Sequence, residues 1–493
     1  MRQKLTDEQH EAATCSDARL YIEAVPGSGK TTVAAERFGV IRYDTACDPR
    51  RILALSFTRS ARDELKGRIV SRWGGTALSW PHRALTLDGL HHEIVTYLLR
   101  RRAIRWIGDQ TELTMLETWR GHRGVRPIEA NAYRRVVVLD GTTINSRSVK
   151  QGVAGHFITG KQEFETHLSE GRCTTTEIRQ IVDAVVRHRE LRAEVSRYLV
   201  ETVKAVIVDE VFDANLLDLS MIRVLVSNGI STTLIGDPWQ ALYRFRGARP
   251  EDVGTLVRQQ HFETRPVSRT FRFGPEMGQL AENAREGRRV LLKHASTADR
   301  CDVILARKWQ SLWDGPDHVL PLSFGRPRNQ TDAAVELLLD PVIQGRFGRP
   351  AHNAADAAAV LGIDRRRLQS DGALNPVLEL VRLGTTDSAT DALILLRRIL
   401  KESGSSCQLR PMAAPSEEVQ ISRLVTLARR LHRPRVIPGM TVHQAKGREW
   451  PVVGLYLGED DIDRLAAGLI QHRDDDRVLY VALTRASHKT LRC

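Results

Sequence analysis

Near one end of the chain the run Ala24-Val25-Pro26-Gly27-Ser28-Gly29-Lys30-Thr31-Thr32 holds the residue types needed to cradle a phosphate chain. Gly27 and Gly29 let backbone N–H groups turn inward where a Cβ would intrude. Lys30 would meet the outer phosphates as a point charge, and Thr31 offers a hydroxyl to Mg²⁺. Ala24 stands where the strict pattern has Gly, and the alternative is a tight glycine turn that binds nothing. Far downstream, Asp209-Glu210 supplies two carboxylates: one to hold Mg²⁺ through its water shell, one to accept a proton from an attacking water. Gln240 is placed to sense the outermost phosphate or to orient that water. The chemistry these residues suit is hydrolysis of a nucleoside triphosphate.

Such groups must be positioned by strands and helices. Leu20-Tyr21-Ile22 precedes the glycine loop as an apolar strand, and Val33 to Phe38 follows as helix. Arg51–Ser56, Ala205-Val206-Ile207-Val208 and Thr232–Ile235 are further buried-strand runs, each followed by a polar turn. Strands alternating with helices predict a parallel α/β sheet, whose ligands gather at the strands' C-terminal edge. At that edge Phe57 either stacks a nucleic-acid base or plugs the core, and Thr58 or Arg59 is suited to phosphate. Tyr243, Phe245 and Arg246 interleave aromatic rings with charge, as base-stacking surfaces do. Thr6 can cap a first helix, on which Gln9 either faces solvent or aims its amide at an adenine edge. From Arg101 to about Tyr198 the alternation stops, and the segment reads as a mostly helical insertion.

The net charge of +13 and pI near 9.7 favour a polyanionic partner. The runs Arg100-Arg101-Arg102 and Arg365-Arg366-Arg367 read singly as solvated helix faces. Cys15, Cys47, Cys173, Cys301, Cys407 and Cys493 form no CxxC or Cys/His spacing, so a reducing, cytoplasmic compartment and no structural zinc are expected. The first residues lack the apolar core of a signal peptide, and no apolar run approaches the ~18 residues of a membrane span, so no membrane association is expected.

Taken in order, these motifs resemble those of superfamily 1 helicases of the UvrD/Rep/PcrA kind. Gln9 is similar to that family's adenine-reading Gln, and Ala24 to Thr32 to its P-loop. Ser56-Phe57-Thr58 with Ala61 and Glu64, and then Thr86, are similar to its DNA-contacting motifs. Asp209-Glu210 resembles its Mg²⁺ and base pair, and Gly236-Asp237 through Gly247-Ala248 its third motif. The resemblance implies that Phe271 of Thr270-Phe271-Arg272 stacks the adenine while Arg272 touches the γ-phosphate. It implies that the Thr441–Trp450 motif, with His443 and Glu449, contacts DNA and the ribose, and that Arg485 of the Tyr480–Ala486 motif acts as an arginine finger. There are departures: Phe212 replaces a Gln, Arg59-Ser60 replace Asn-Lys, and Asp88 stands where His is common.

The resemblance implies two RecA-like P-loop NTPase cores, each interrupted by a mostly helical insertion. The first core would be 1–90 with 201–265, around the insertion 91–200. The second would be 266–330 with 436–493, around a reduced insertion 331–435 in which 352–371 and 391–400 read as helix. ATP and Mg²⁺ would lie in the cleft between the cores, with Arg272 and Arg485 supplied by the second. The sequence ends at Cys493, just past the last motif, and no fused nuclease is expected. The expected function is ATP-driven 3′–5′ movement on single-stranded DNA and at single-strand/duplex junctions, in DNA repair or anti-phage defence. The alternative is a DNA-stimulated ATPase subunit that regulates a partner nuclease, similar in size to the short helicase subunit of the Gabija anti-phage system.

Overall fold

The fold is that of a computed structural model of the 493-residue chain, which describes residues 4–44, 48–116, 118–119, 125–128, 133–150, 155–158, 160–295, 301–365, 368, 372–405 and 409–493. Cys47, Cys407, Arg366, Arg367 and Asp371 lie outside the described residues. Two compact units emerge. The first comprises Met1–Trp119, Arg126–Gly274 and Ile470–Tyr480, and the second is formed mainly by Pro275–Leu469 and Val481–Cys493.

The first unit is built on a six-stranded sheet. Its strands are β1 (Arg19–Ala24), β2 (Arg51–Ser56), β3 (Arg83–Thr86), then β6 (Val203–Val208), β7 (Ser231–Gly236) and β8 (Glu263–Val267). Their order is β8-β1-β7-β6-β2-β3, and every pairing is parallel. Parallel strands are covered on both faces, which is why β6 reads Val-Lys-Ala-Val-Ile-Val with five of six positions buried. Helices α1 (Asp7–Thr14), α2 (Lys30–Asp44) and α3 (Arg59–Trp73) take part on one side, where Leu20, Ile22, Phe38, Ile52, Leu65, Ile69, Ile207 and Ile235 form a shared core. Because the strands run one way, the loops leaving β1, β2, β3, β6 and β7 emerge at one edge. The helices α2, α3 and α4 (Leu87–Arg100) begin there.

The insertion carries more strand than expected. Tyr133–Asp140 (β4) and Thr143–Lys150 (β5) form an antiparallel hairpin, closed by Gly141-Thr142 with Gly141 at φ 59°. A Gly at the first turn position supplies the positive φ that two-residue hairpins need. Helices α5 (Thr175–Arg187) and α6 (Arg189–Thr202) complete the insertion. It is tied to the sheet's flank by an ion-pair chain. Arg179 of α5 donates to Asp88 of α4 at 2.6 Å and meets Asp218 of α7 (Leu216–Ser227) at 3.3 Å. That pairing accounts for Asp88.

The second unit has a five-stranded parallel sheet: β9 (Val303–Ala306), β10 (Val319–Pro321), β11 (Ile437–Thr441), β12 (Trp450–Leu455) and β13 (Ala486–Arg492), in the order β10-β11-β9-β12-β13. Ile304, Leu312, Val319 and Leu491 centre its core. Between β10 and β11 lie helices Gln330–Phe347, Ala354–Leu361, Asn375–Arg382, Thr386–Glu402 and Ala414–Leu431.

Two boundaries shift. The division expected after residue 265 falls inside β8, which pairs with β1, and the first unit runs on to Gly274. Ile470–Tyr480 also groups with the first unit. Among the described residues no helix is long and apolar enough to cross a membrane.

Candidate nucleotide and nucleic-acid site

β1 ends at Ala24, whose side chain is fully buried and whose backbone is in register with Val267 of β8. Ala24 therefore anchors the loop from the core side rather than facing a ligand. Gly27 and Gly29 take φ of 74° and 81°, a region open to glycine. Ser28 is buried, and its hydroxyl donates to Val25 O at 2.8 Å, bracing the loop from within. Lys30 opens α2, with Thr31 and Thr32 half-buried in the same turn, so the loop ends on the partial positive charge of a helix N-terminus.

Lys30 is buried, and burial pulls its ammonium pKa down against the attraction of Glu210, Asp237 and Asp209. Asp209 follows β6 directly. Burial first, and then repulsion from Glu210, push its carboxyl up to about 7, while Lys30 pulls the other way. Thr31 Oγ1 donates to Asp209 Oδ2 at 3.3 Å. A hydroxyl and a buried carboxylate sharing one spot form a hard-oxygen donor set that suits Mg²⁺, and a cation there would relieve the crowded negative charge. Glu210 holds a left-handed backbone, φ 57° and ψ 42°, which costs a non-glycine residue about 1–2 kcal/mol. Strain of this kind persists where the surroundings over-determine it, commonly at sites of chemistry.

Asp237 follows β7 as Asp209 follows β6. It is fully buried and accepts from Trp239 N at 3.1 Å and from Gln240 Nε2 at 2.9 Å, so it fixes the Gln240 amide. Its holding role went unassigned in the sequence, although an acidic residue closing an apolar strand is the same signal that marks Asp209.

The segment after β8 returns to the glycine loop. Thr270 Oγ1 donates to Pro26 O at 3.0 Å and Phe271 N to Gly27 O at 2.9 Å. A Cβ on Gly27 would lie 2.4 Å from Arg272 Cβ, so this approach itself requires glycine. Arg272 is charged close enough to Lys30 to oppose its protonation. Arg272 thus belongs with the first unit, not the second, because β8 pairs with β1 and delivers the chain onto the loop. Gln9 is buried, not solvent-facing. Its Oε1 caps Thr6 N at 3.0 Å and its Nε2 donates to Ser28 O at 2.7 Å. Lys30, Thr31, Asp209, Glu210, Asp237, Gln240, Arg272, Gln9 and Phe271 therefore gather around one loop.

Along the same edge Phe57 is half-buried in the β2–α3 loop, Thr58 and Arg59 are exposed, and Thr86 is half-buried. The Thr58 and Thr86 hydroxyls cap α3 and α4, each accepting an N–H at 3.1 Å. Phe245 is 67% exposed, and the Arg246 guanidinium sits 5.5 Å from its centroid and 5.0 Å from that of Tyr243.

The remaining residues lie in the second unit. His443 is half-buried on a one-turn helix, Val442–Ala445, capped by Thr441 and Gln444, and Glu449 is exposed in the following turn. Arg485 is buried, donating to Val481 O at 3.0 Å and to Arg448 O at 3.3 Å.

The model of the UvrD/REP helicase N-terminal domain matches residues 5–118 and 150–260, and that of the UvrD-like helicase C-terminal domain matches 439–491. Similar curated proteins include a probable DNA helicase of Mycoplasma pneumoniae, 25% identical over 261 residues, 50% of this chain and 48% of the relative. DNA helicase II of Escherichia coli is 24% identical over 351 residues, 67% of this chain and 45% of the relative. The ATP-dependent DNA helicase PcrA of Staphylococcus aureus is 23% identical over 273 residues, 50% of this chain and 35% of the relative. The match spans less than half the length of each of these relatives.

Proposed function

We propose, from the premise that the chain belongs to the UvrD/Rep-like helicase family, that it is an ATP-driven translocase and helicase on single-stranded DNA. The observation that carries this reading is the convergence of Lys30, Thr31, Asp209, Glu210, Gln240 and Arg272 on one glycine loop, on the sheet edge that also presents Thr58, Arg59 and Thr86.

Phosphoryl transfer is catalysed by positioning and charge. Lys30 and Arg272 set two cations against the outer phosphates. Glu210 takes the proton of the attacking water, and Gln240, held by Asp237, orients that water. Thr31 and Asp209 are the residues that would hold Mg²⁺, which neutralises phosphate charge when bound. Gln9 reads the adenine edge and Phe271 stacks the ring. DNA bases stack on Phe245 and on Phe57, with Thr58, Arg59, Thr86 and Arg246 on the backbone. In the second unit, His443 is read as a DNA contact. The two parallel sheets are read as a pair of RecA-like cores. Separating a base pair costs roughly 1.4 kcal/mol of stacking, a small demand on a nucleotide-driven cycle.

The proposed polarity is 3′ to 5′, in DNA repair or anti-phage defence. A second reading, a DNA-stimulated ATPase beside a partner nuclease, is favoured by the short helical segment between β10 and β11. Unwinding of 3′-tailed and 5′-tailed duplexes with ATP and Mg²⁺ distinguishes the two. A motor separates the 3′-tailed substrate and leaves the other. Hydrolysis stimulated by DNA with neither duplex opened supports the nuclease-linked reading instead.

A further inference from the structure

Glu8 and Gln9 are neighbours in the first turn of α1, and they hold different things. Gln9 holds the glycine loop through Ser28 O. The Glu8 carboxylate accepts three hydrogen bonds from the segment after β8: from Ser268 N at 2.8 Å, Ser268 Oγ at 2.6 Å and Arg269 N at 3.2 Å. The Ser268 hydroxyl is the main reason its pKa lies below the usual Glu value. Ser268 and Arg269 lead straight into Thr270 and Phe271, which bond to Pro26 O and Gly27 O. Residues 268–271 are thus fixed at two points, to the helix by Glu8 and to the loop by Thr270 and Phe271. The Phe271 ring is 47% exposed, with the Arg269 guanidinium 5.5 Å from its centroid.

A purine read at its edge by an amide and stacked on its face by a ring needs the two groups at a set separation. Gln9 is placed by α1, and Phe271 by the segment that Glu8 staples to α1. We propose that Glu8 is a positioning residue for base selection: through Ser268 and Arg269 it sets Phe271 against Gln9, so that the site takes adenine nucleotides in preference to guanine nucleotides. This inference rests on the nucleotide-site reading given above.

The test is calorimetric binding of ATP and GTP, with steady-state hydrolysis, for wild type, Glu8→Ala, Glu8→Gln, Ser268→Ala and the Glu8→Ala/Ser268→Ala pair. Losing a charge-assisted contact of this kind is expected to weaken ATP binding about tenfold and GTP binding no more than about twofold, so the ATP/GTP ratio collapses. KM for ATP should rise far more than kcat falls. Glu8→Gln, whose amide oxygen still accepts from Ser268, should recover part of the ratio. The double variant should be within about twofold of Glu8→Ala, since both changes remove one interaction. An unchanged ATP/GTP ratio in Glu8→Ala and Glu8→Gln, whatever their melting temperatures, reduces Glu8 to a fold staple and overturns the proposal. Wild type binding neither nucleotide overturns the site reading itself, a result the variants cannot mimic.

Discussion

Phe212 shows how a single side chain can look functional in sequence and be structural in space. It is 6% exposed, its ring meets Tyr21 edge-on at 6.3 Å between centroids, and it lies against Gly236, where an added Cβ would come within 2.8 Å. The ring packs over β1 and β7, against Tyr21 and Gly236. Replacing it with Gln, the residue its relatives are expected to carry, leaves an amide without partners and a smaller apolar plug. Phe212→Gln should therefore cost roughly 2–4 kcal/mol in chemical unfolding and leave DNA stimulation of hydrolysis no higher than in wild type. Higher stimulation at unchanged stability would instead mark Phe212 as a brake on coupling. Phe245 is the opposite case, an exposed ring with arginine beside it. Phe245→Ala should lose roughly 1–3 kcal/mol of single-strand affinity while the salt dependence of binding stays the same. A shallower salt dependence at intact affinity would show that the ring only props the arginine.

At the scale of elements, α4 carries a liability. His91 is fully buried with neither ring nitrogen hydrogen-bonded, 4.0 Å from Asp88, and burial, aided by Arg179, pulls its pKa down to about 3. The folded protein holds this imidazole neutral, whereas the unfolded chain protonates it near pH 6.5. Below about pH 6.5 the unfolded state binds the extra proton, so stability is full above that pH. The His91 contribution falls by roughly 1.4 kcal/mol per pH unit down to about pH 3. Denaturation between pH 5 and 6.5 should show wild type losing about 1.4 kcal/mol per pH unit more than His91→Leu as the pH falls; equal slopes would exclude His91 as the source. Elements also explain what the sequence made readable. The glycine loop and the runs before Asp209 and Gly236 are local, consecutive signals. The β4–β5 hairpin was obscured by the unbroken Val136-Val137-Val138 run and by Arg134-Arg135, which hide a period of two. Asp237 and Arg272 could be noticed as motif members, but what each one holds depends on where the strands deliver it. Glu8 stands beside Gln9 as a candidate to cap the first helix, but its actual partner lies 260 residues away and left no local signal.

For the molecule as a whole, the surplus of +13 is a statement about association. Single-strand binding should weaken with salt, at a log–log slope of about −0.7 for each phosphate neutralised. Titrations with a fluorescent oligonucleotide across a range of salt concentrations read that slope directly, and an affinity indifferent to salt would be inconsistent with a DNA-binding edge. The most direct test of the account is ATP hydrolysis with and without single-stranded DNA, for wild type and Glu210→Gln, alongside nucleotide binding to both. The account predicts that DNA raises the wild-type rate and that Glu210→Gln still binds ATP while its hydrolysis falls by about 10² or more, as expected for loss of a general base. A Glu210→Gln variant that turns over at the wild-type rate, or a wild-type rate indifferent to DNA, would contradict it.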